Sequence, residues 1–265
     1  MPRRVFDPGK AGVFAVIPEE VTFNADDGLA IAAWFVPSAD SDKALILVPG
    51  RNVSRTREFE DEFAEFGAAM HRNGFSLLMI DLRGHGQSAP ARFTFGLAER
   101  RDVIAAVDWL KQRGYPPQKV GVLGVSMGAA AVIGAAAEDP DVGVLVLDSA
   151  FAEVYPVIQG QWRTASGLPD MFLPSTMLVA RWLTGYDLTS SRSVDELARL
   201  TPRPILIIHS ALDSYVPAEQ ARRLHAAAAA SEYWETSDAK HSRNYNTYSQ
   251  EYVEKVTEFL NRNLK

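Results

Sequence analysis

The chain contains no cysteine. Disulfide frameworks, thiolate catalysis and cysteine-based zinc sites are therefore excluded, while the redox compartment stays open. It also lacks any uninterrupted apolar stretch of about 18 residues, so neither a membrane-spanning helix nor stable membrane association is expected. The opening residues, Met-Pro-Arg-Arg-Val-Phe-Asp-Pro-Gly-Lys, have no apolar signal-peptide core, and the expectation is a soluble, cytoplasmic protein. Positive charge is scarce: 27 lysines and arginines stand against 33 acids, for a formal net charge of -6. Nucleic-acid binders concentrate positive charge, so nucleic acid is not an expected partner. There is no internal repeat, and no feature points to a particular oligomeric state.

What is present is an ordinary globular balance. The 265 residues are 47% hydrophobic and 23% charged, enough for one sizeable α/β domain with room for an insertion. Strand and helix signals alternate along the chain, which predicts a mostly parallel, doubly wound sheet covered on both faces. Residues 20–36 read as a leading hairpin turning at Asp26-Asp27-Gly28. A strand at 43–48 is followed by a helix over about 56–71, ended by Asn73-Gly74. Residues 75–80 form the next strand. Residues 97–111 read as a helix with Val103, Val107 and Leu110 on one face, and a C-terminal helix over about 245–261 repeats the pattern with Val253, Val256, Phe259 and Leu260.

The most informative stretch is Gly124-Val125-Ser126-Met127-Gly128. It follows the apolar run 119–123 and opens the small-residue run 129–137. A serine between two glycines at a strand-to-helix junction is the pattern of a nucleophile elbow. A sharp turn there lifts the hydroxyl above the sheet edge, and a Cβ at position 124 or 128 would collide with the neighbouring strand and helix. A serine hydroxyl needs a base in hydrogen-bond reach and a third group to orient that base. The apolar run 204–208 reads as a buried strand. Its following loop, His209-Ser210-Ala211-Leu212-Asp213-Ser214-Tyr215-Val216-Pro217, leads into a helix over 218–230, so Asp213 sits just past a strand's carboxyl end. His241 lies in a loop after the last strand, 232–235.

With these motifs and Asp81-Leu82-Arg83-Gly84-His85-Gly86-Gln87-Ser88 together, the chain resembles the α/β-hydrolases, in the branch of serine esterases and peptidase-like hydrolases. The likeness runs from about residue 20 to the C-terminus. It implies that Ser126 attacks, His241 shuttles the proton and Asp213 holds the imidazole. Asp148, ending the strand 143–147, is the rival acid; its ordinary reading is a carboxylate bonding loop amides. His85 is expected to shape the floor of the site, His209 to pack beside the acid loop, and His71 and His225 to lie on helices without chemistry. The oxyanion hole is expected from the backbone N–H of Met127 and, from the loop Pro49-Gly50-Arg51-Asn52-Val53-Ser54, that of Arg51, with Asn52 the lesser alternative. Related enzymes usually carry His-Gly where this chain has Pro49-Gly50. No metal or organic cofactor is implied.

Arg51, Arg55 and Arg57 place three cations near the expected mouth. A solvated loop and helix start is the ordinary reading; a sharper one has Arg51 meeting a substrate carboxylate or phosphate. Residues 1–150 and 201–265 are expected to form the core, and 151–200, rich in aromatics and prolines, a helical cap of two or three short helices. Its apolar inner face is expected to line an acyl or alcohol pocket. The expected reaction is hydrolysis of a small-molecule carboxylic ester, of short-to-medium acyl length, through an acyl-enzyme. Amide, peptide or thioester cleavage is the alternative within the class, and a non-catalytic small-ligand-binding protein the alternative outside it. A peptidase would use acids to hold a substrate's amino terminus, for which Glu153 or Asp170 are available.

Overall fold

Continuous apolar runs flanked by amphipathic segments put both faces of a sheet under cover, and this governs the architecture. A computed structural model describes residues 7–39, 41–200 and 202–265. The opening residues 1–6, which carry no apolar signal core in sequence, and Thr201, at the expected start of the second core segment, lie outside the described residues. Eight strands make one sheet: β1 (Glu19–Asn24), β2 (Ala30–Val36), β3 (Ala44–Val48), β4 (Ser76–Ile80), β5 (Val120–Val125), β6 (Val144–Asp148), β7 (Ile205–Ser210) and β8 (Glu232–Thr236). Their spatial order is β1-β2-β4-β3-β5-β6-β7-β8. The leading hairpin β1–β2 and the β2–β4 pair are antiparallel, and every later pair is parallel.

Alternation along the strands splits the core in two. Ile46, Val48, Val122, Leu145, Leu147, Ile205 and Ile207 face α2 (Arg100–Gln112), α3 (Met127–Glu138) and α7 (Ala218–Ala227). Leu45, Leu47, Leu123, Val125, Val146, Leu206 and Ile208 face α1 (Phe63–Arg72) and α8 (Ser249–Asn263). Side chains of period two on a strand reach opposite faces, so each apolar run serves both cores. The apolar stripes read from sequence are the buried ones: Val103, Val107 and Leu110 in α2, and Val256, Phe259 and Leu260 in α8, with Val253 packed at the margin.

The helix expected from about 97 begins at Arg100, and two other helix starts differ more from the sequence reading. The helix expected from residue 56 begins at Phe63, because Phe59, Glu60 and Asp61 take positive φ (54, 52 and 73°) and break the helical run. The C-terminal helix expected from 245 begins at Ser249, after one separate turn at Asn244–Thr247. Between β6 and β7 the chain adds α4 (Val154–Ser166), α5 (Leu173–Thr184) and α6 (Ser193–Leu197). A third apolar cluster, containing Phe95, Ala130, Phe151, Val154, Val157, Leu188 and Val216, seats this segment on the core.

Candidate active site

The site is assembled at the carboxyl ends of the central strands, where loops leave a parallel sheet. Ser126 joins β5 directly to α3 with φ 53° and ψ -113°, a strained conformation for a residue with a Cβ. Its amide donates to Asp148 O (2.8 Å), which ties the turn to β6. The flanking glycines are required by space. A Cβ at Gly124 would stand 2.6 Å from Gly128 O, and one at Gly128 would stand 2.5 Å from the carbonyl oxygens of Val48 and Pro49. Strand, turn and helix therefore pass too closely for any side chain, as the elbow reading requires.

The structure brings three of the expected residues together. Ser126 Oγ lies 2.9 Å from His241 Nε2, and His241 Nδ1 lies 2.6 Å from Asp213 Oδ2. Asp213 is 4% exposed. Its Oδ1 accepts the amides of Tyr215 (2.9 Å) and Val216 (2.8 Å), which lock the carboxylate and leave Oδ2 for the imidazole. His209 packs beside the acid loop, as expected. Its Nε2 lies 2.9 Å from Val216 O and 3.6 Å from Asp213 Oδ2. His85 is buried in the Arg83 turn with Nδ1 2.9 Å from Arg83 O, and burial pushes its pKa down. His71 and His225 lie on α1 and α7, away from these groups, on Pro37 O and Ser231 Oγ.

Asp148 does different work from its sequence reading. It is fully buried and meets side chains, not loop amides: Ser149 Oγ at 2.8 Å, Asn244 Nδ2 at 2.7 Å and Tyr252 OH at 2.9 Å. Burial pushes its pKa up, against those three donors. Ser149 Oγ in turn accepts the amide of Ser242 (3.1 Å), the residue after His241. The carboxylate thus fastens the histidine loop to β6 and to α8.

The pocket at Ser126 has a volume of about 230 Å³ and is lined by Gly50, Arg51, Glu58, Tyr215, His241 and Ser242. Glu58 and Tyr215 were missed in the sequence. Nothing local separates Glu58 from its acidic neighbours Glu60, Asp61 and Glu62, yet it alone of the four is buried. Its Oε2 accepts the Gly50 amide (2.5 Å) and its Oε1 the Phe59 amide (3.4 Å). Burial pushes its carboxyl up to about 7, against these amides and the facing His241. Tyr215 packs its ring on His241, with centroids 4.9 Å apart and planes at 34°.

The three arginines separate. Arg55 is not solvated: at 1% exposure it pairs with Asp81 and Gln87 and lies over Trp34 (5.2 Å). Arg57 pairs with Asp61 at 2.9 Å. Arg51 alone of the three lines the pocket, and its Nη2 donates to Tyr215 OH (2.7 Å). Residues 151–200 also differ from expectation, since none of them lines the Ser126 pocket. Tyr155, Met177, Leu178, Arg181 and Arg192 instead line a separate pocket of about 520 Å³. Trp182 (82% exposed) and Met171 (78%) face solvent, so the aromatics of this segment neither all line a substrate cavity nor all pack on the core. No helix among the described residues is long and apolar enough to cross a membrane.

Comparison with known proteins gives this geometry a setting. The sequence pattern of the S33 serine aminopeptidases matches residues 39–178, a span that includes Ser126 and stops before Asp213 and His241. The uncharacterized protein Rv2307c of Mycobacterium tuberculosis is 30% identical over 220 residues, covering 81% of this chain and 69% of that protein. The uncharacterized protein YqkD of Bacillus subtilis is 27% identical over 241 residues, covering 88% and 76%. Among solved structures, the Pyrococcus furiosus esterase Pf2001 superposes with a TM-score of 0.80 at 25% identity, over 100% of this chain and 98% of that one. Elbow, sheet order and matched span agree, and the chain belongs to the S33 serine aminopeptidase family of α/β-hydrolases.

Proposed function

We propose that this hydrolase cleaves carboxylic esters of short-to-medium acyl length through an acyl-enzyme, with Ser126 as nucleophile, His241 as general base and Asp213 as orienting acid. The observation that carries the reading is the unbroken hydrogen-bonded chain, 2.9 Å from Ser126 Oγ to His241 Nε2 and 2.6 Å from His241 Nδ1 to Asp213 Oδ2. Ser126 Oγ attacks the carbonyl carbon as its proton passes to Nε2; the tetrahedral oxyanion collapses as the imidazolium gives that proton to the leaving alcohol. Water then enters by the same route and releases the acid.

The oxyanion would be held by the backbone N–H groups of Met127 and Arg51. Met127 is the first residue of α3, where an amide has no acceptor within its own helix. The Gly50 amide is taken by Glu58, which leaves the next amide, that of Arg51, as the donor from this loop. Residues 151–200 would act as the cap, bounding one side of the approach to the pocket.

Ester cleavage is preferred to aminopeptidase action because the acids suited to holding an amino terminus are occupied. Glu153 pairs with Arg192 (2.6 Å) and Arg223 (2.9 Å), and Asp170 with Arg163 (2.8 Å). The esterase Pf2001, which covers the whole chain, supports the same preference. The pocket's 230 Å³ lies below the roughly 300–1,000 Å³ of drug-sized ligand sites, which favours short acyl groups. Fluorophosphonate labelling together with a p-nitrophenyl ester series from acetyl to palmitoyl tests the reading. Labelling at Ser126, lost in Ser126→Ala, with turnover falling beyond medium chains, is the expected result. An unlabelled wild type would point to a binding protein on this scaffold.

A further inference from the structure

The pocket at Ser126 holds a cation that has no counter-ion among the described residues. Arg51 is half-buried and lines the same pocket as Ser126 and His241. Its neighbours in sequence are neutralised, Arg55 by Asp81 and Arg57 by Asp61. Arg51 reaches only a phenol, Tyr215 OH at 2.7 Å, and among the described residues no carboxylate stands within ion-pair distance of it. Its guanidinium carbon lies 5.4 Å from the ring centre of Phe93 and 5.5 Å from that of Phe95. Aromatic faces attract a cation without cancelling its charge, and they fix the plane of the group. The acid in the pocket does not pair with it: Glu58 turns Oε2 to the Gly50 amide and Oε1 to the Phe59 amide. Held charge of this kind, partly removed from water, is incomplete until an anion arrives.

We propose that Arg51 receives the carboxylate of an anionic ester, so that the enzyme's preferred substrates are half-esters of dicarboxylic acids or esters of hydroxycarboxylic acids. The inference rests on the esterase reading above and adds to it the substrate class. A single planar guanidinium matches a carboxylate, with one negative charge and two coplanar oxygens. A phosphate monoester carries nearly two charges and would meet Glu58, the one carboxyl among the described residues of the pocket lining. The position is also suited to the chemistry. Tyr215 OH accepts from Arg51 while the Tyr215 ring packs on His241, so an anion seated on the guanidinium lies one aromatic ring away from the catalytic imidazole.

The rival account makes Arg51 a prop that holds Tyr215 against His241. A prop lowers turnover of every ester alike, whereas a carboxylate receptor discriminates between charged and neutral forms of the same ester. The test measures kcat/KM of wild type, Arg51→Met and Arg51→Lys on two matched pairs, with the charge on either side of the scissile bond. One pair is monoethyl and diethyl adipate; the other is 4-acetoxybenzoate and its methyl ester. Comparing ratios between variants cancels the intrinsic reactivity of each ester. The expected result, in at least one pair, is an anionic-to-neutral ratio about tenfold or more lower in Arg51→Met, carried by KM, and partly kept in Arg51→Lys. Added sodium chloride should lower that ratio in the wild type. Equal ratios in wild type and Arg51→Met for both pairs, with neutral esters still turned over, overturn the inference and leave the esterase reading standing. No turnover of any of the four esters by the folded wild type overturns both.

Discussion

Replacing Glu58 by glutamine isolates the energetic consequence of burying a carboxyl group beside the candidate nucleophile. The side chain is 6% exposed and burial pushes its pKa from 4.5 up to about 7. Below pH 4.5 the group carries its proton in both folded and unfolded chains and costs nothing. Between 4.5 and 7 the unfolded chain releases the proton while the folded chain keeps it, so stability falls as pH rises through this window. Above 7 both states are ionised and the loss is complete. With about 1.4 kcal/mol for each pH unit of separation, the full loss is about 3 kcal/mol. Glutamine keeps the shape and an oxygen for the Gly50 amide but cannot ionise. Urea unfolding of wild type and Glu58→Gln at pH 4, 6 and 8, followed by tryptophan fluorescence with m held common, reads the difference directly. The stability of wild type minus that of the variant should fall by about 3 kcal/mol from pH 4 to pH 8. A difference that stays flat across that range refutes the argument that Glu58 is folded into a site that disfavours its charge.

Asp213→Asn keeps an oxygen for the amides of Tyr215 and Val216 but presents an N–H₂ to His241 Nδ1, which imposes the wrong imidazole tautomer. By comparison with serine proteases, kcat on a p-nitrophenyl ester should fall by about 10⁴-fold with the melting temperature little changed; a loss under tenfold would remove Asp213 from the relay. Gly128→Ala puts a Cβ 2.5 Å from two backbone carbonyls that cannot rotate away. It should cost about 2 kcal/mol or more, read as a fall of several degrees in Tm, and it should slow fluorophosphonate labelling of Ser126. An unshifted Tm would mean that α3 slides off β3 without penalty.

The parts of the site that could be read from sequence are those whose physics is local. The elbow is legible because two glycines bracket a serine where an apolar run changes period, and the crowding at Gly124 and Gly128 is the reason those residues have no side chain. Asp213 is legible because its loop leaves a strand whose apolar run is unmistakable. Glu58 is not, because its burial depends on three consecutive residues without glycine entering left-handed φ, a conformation that residue preference argues against. What holds that segment is distant: the Phe59 ring packs with Phe63, Phe66, Tyr245 and Tyr252. The hydrogen bonds of Asp148 to Asn244 and Tyr252 span about a hundred residues of chain and leave no periodic trace. Residues 151–200 misled because aromatic content suggests a lining, and the positions of Trp182 and Met171 are decided by how α5 is oriented.

The fastening of Asp148 to Tyr252 and Asn244 has a practical consequence for anyone altering the end of the chain. The last helix is tied to the proposed proton relay: its Tyr252 hydroxyl grips the carboxylate whose other contacts, through Ser149, hold the loop bearing His241. Trimming that helix would remove Phe259 and Leu260 from the core first, whereas a fused partner that only pulls on Tyr252 would be felt as loss of turnover. An inactive C-terminal fusion of this hydrolase should therefore be checked for a loosened imidazole before its reacting residues are blamed.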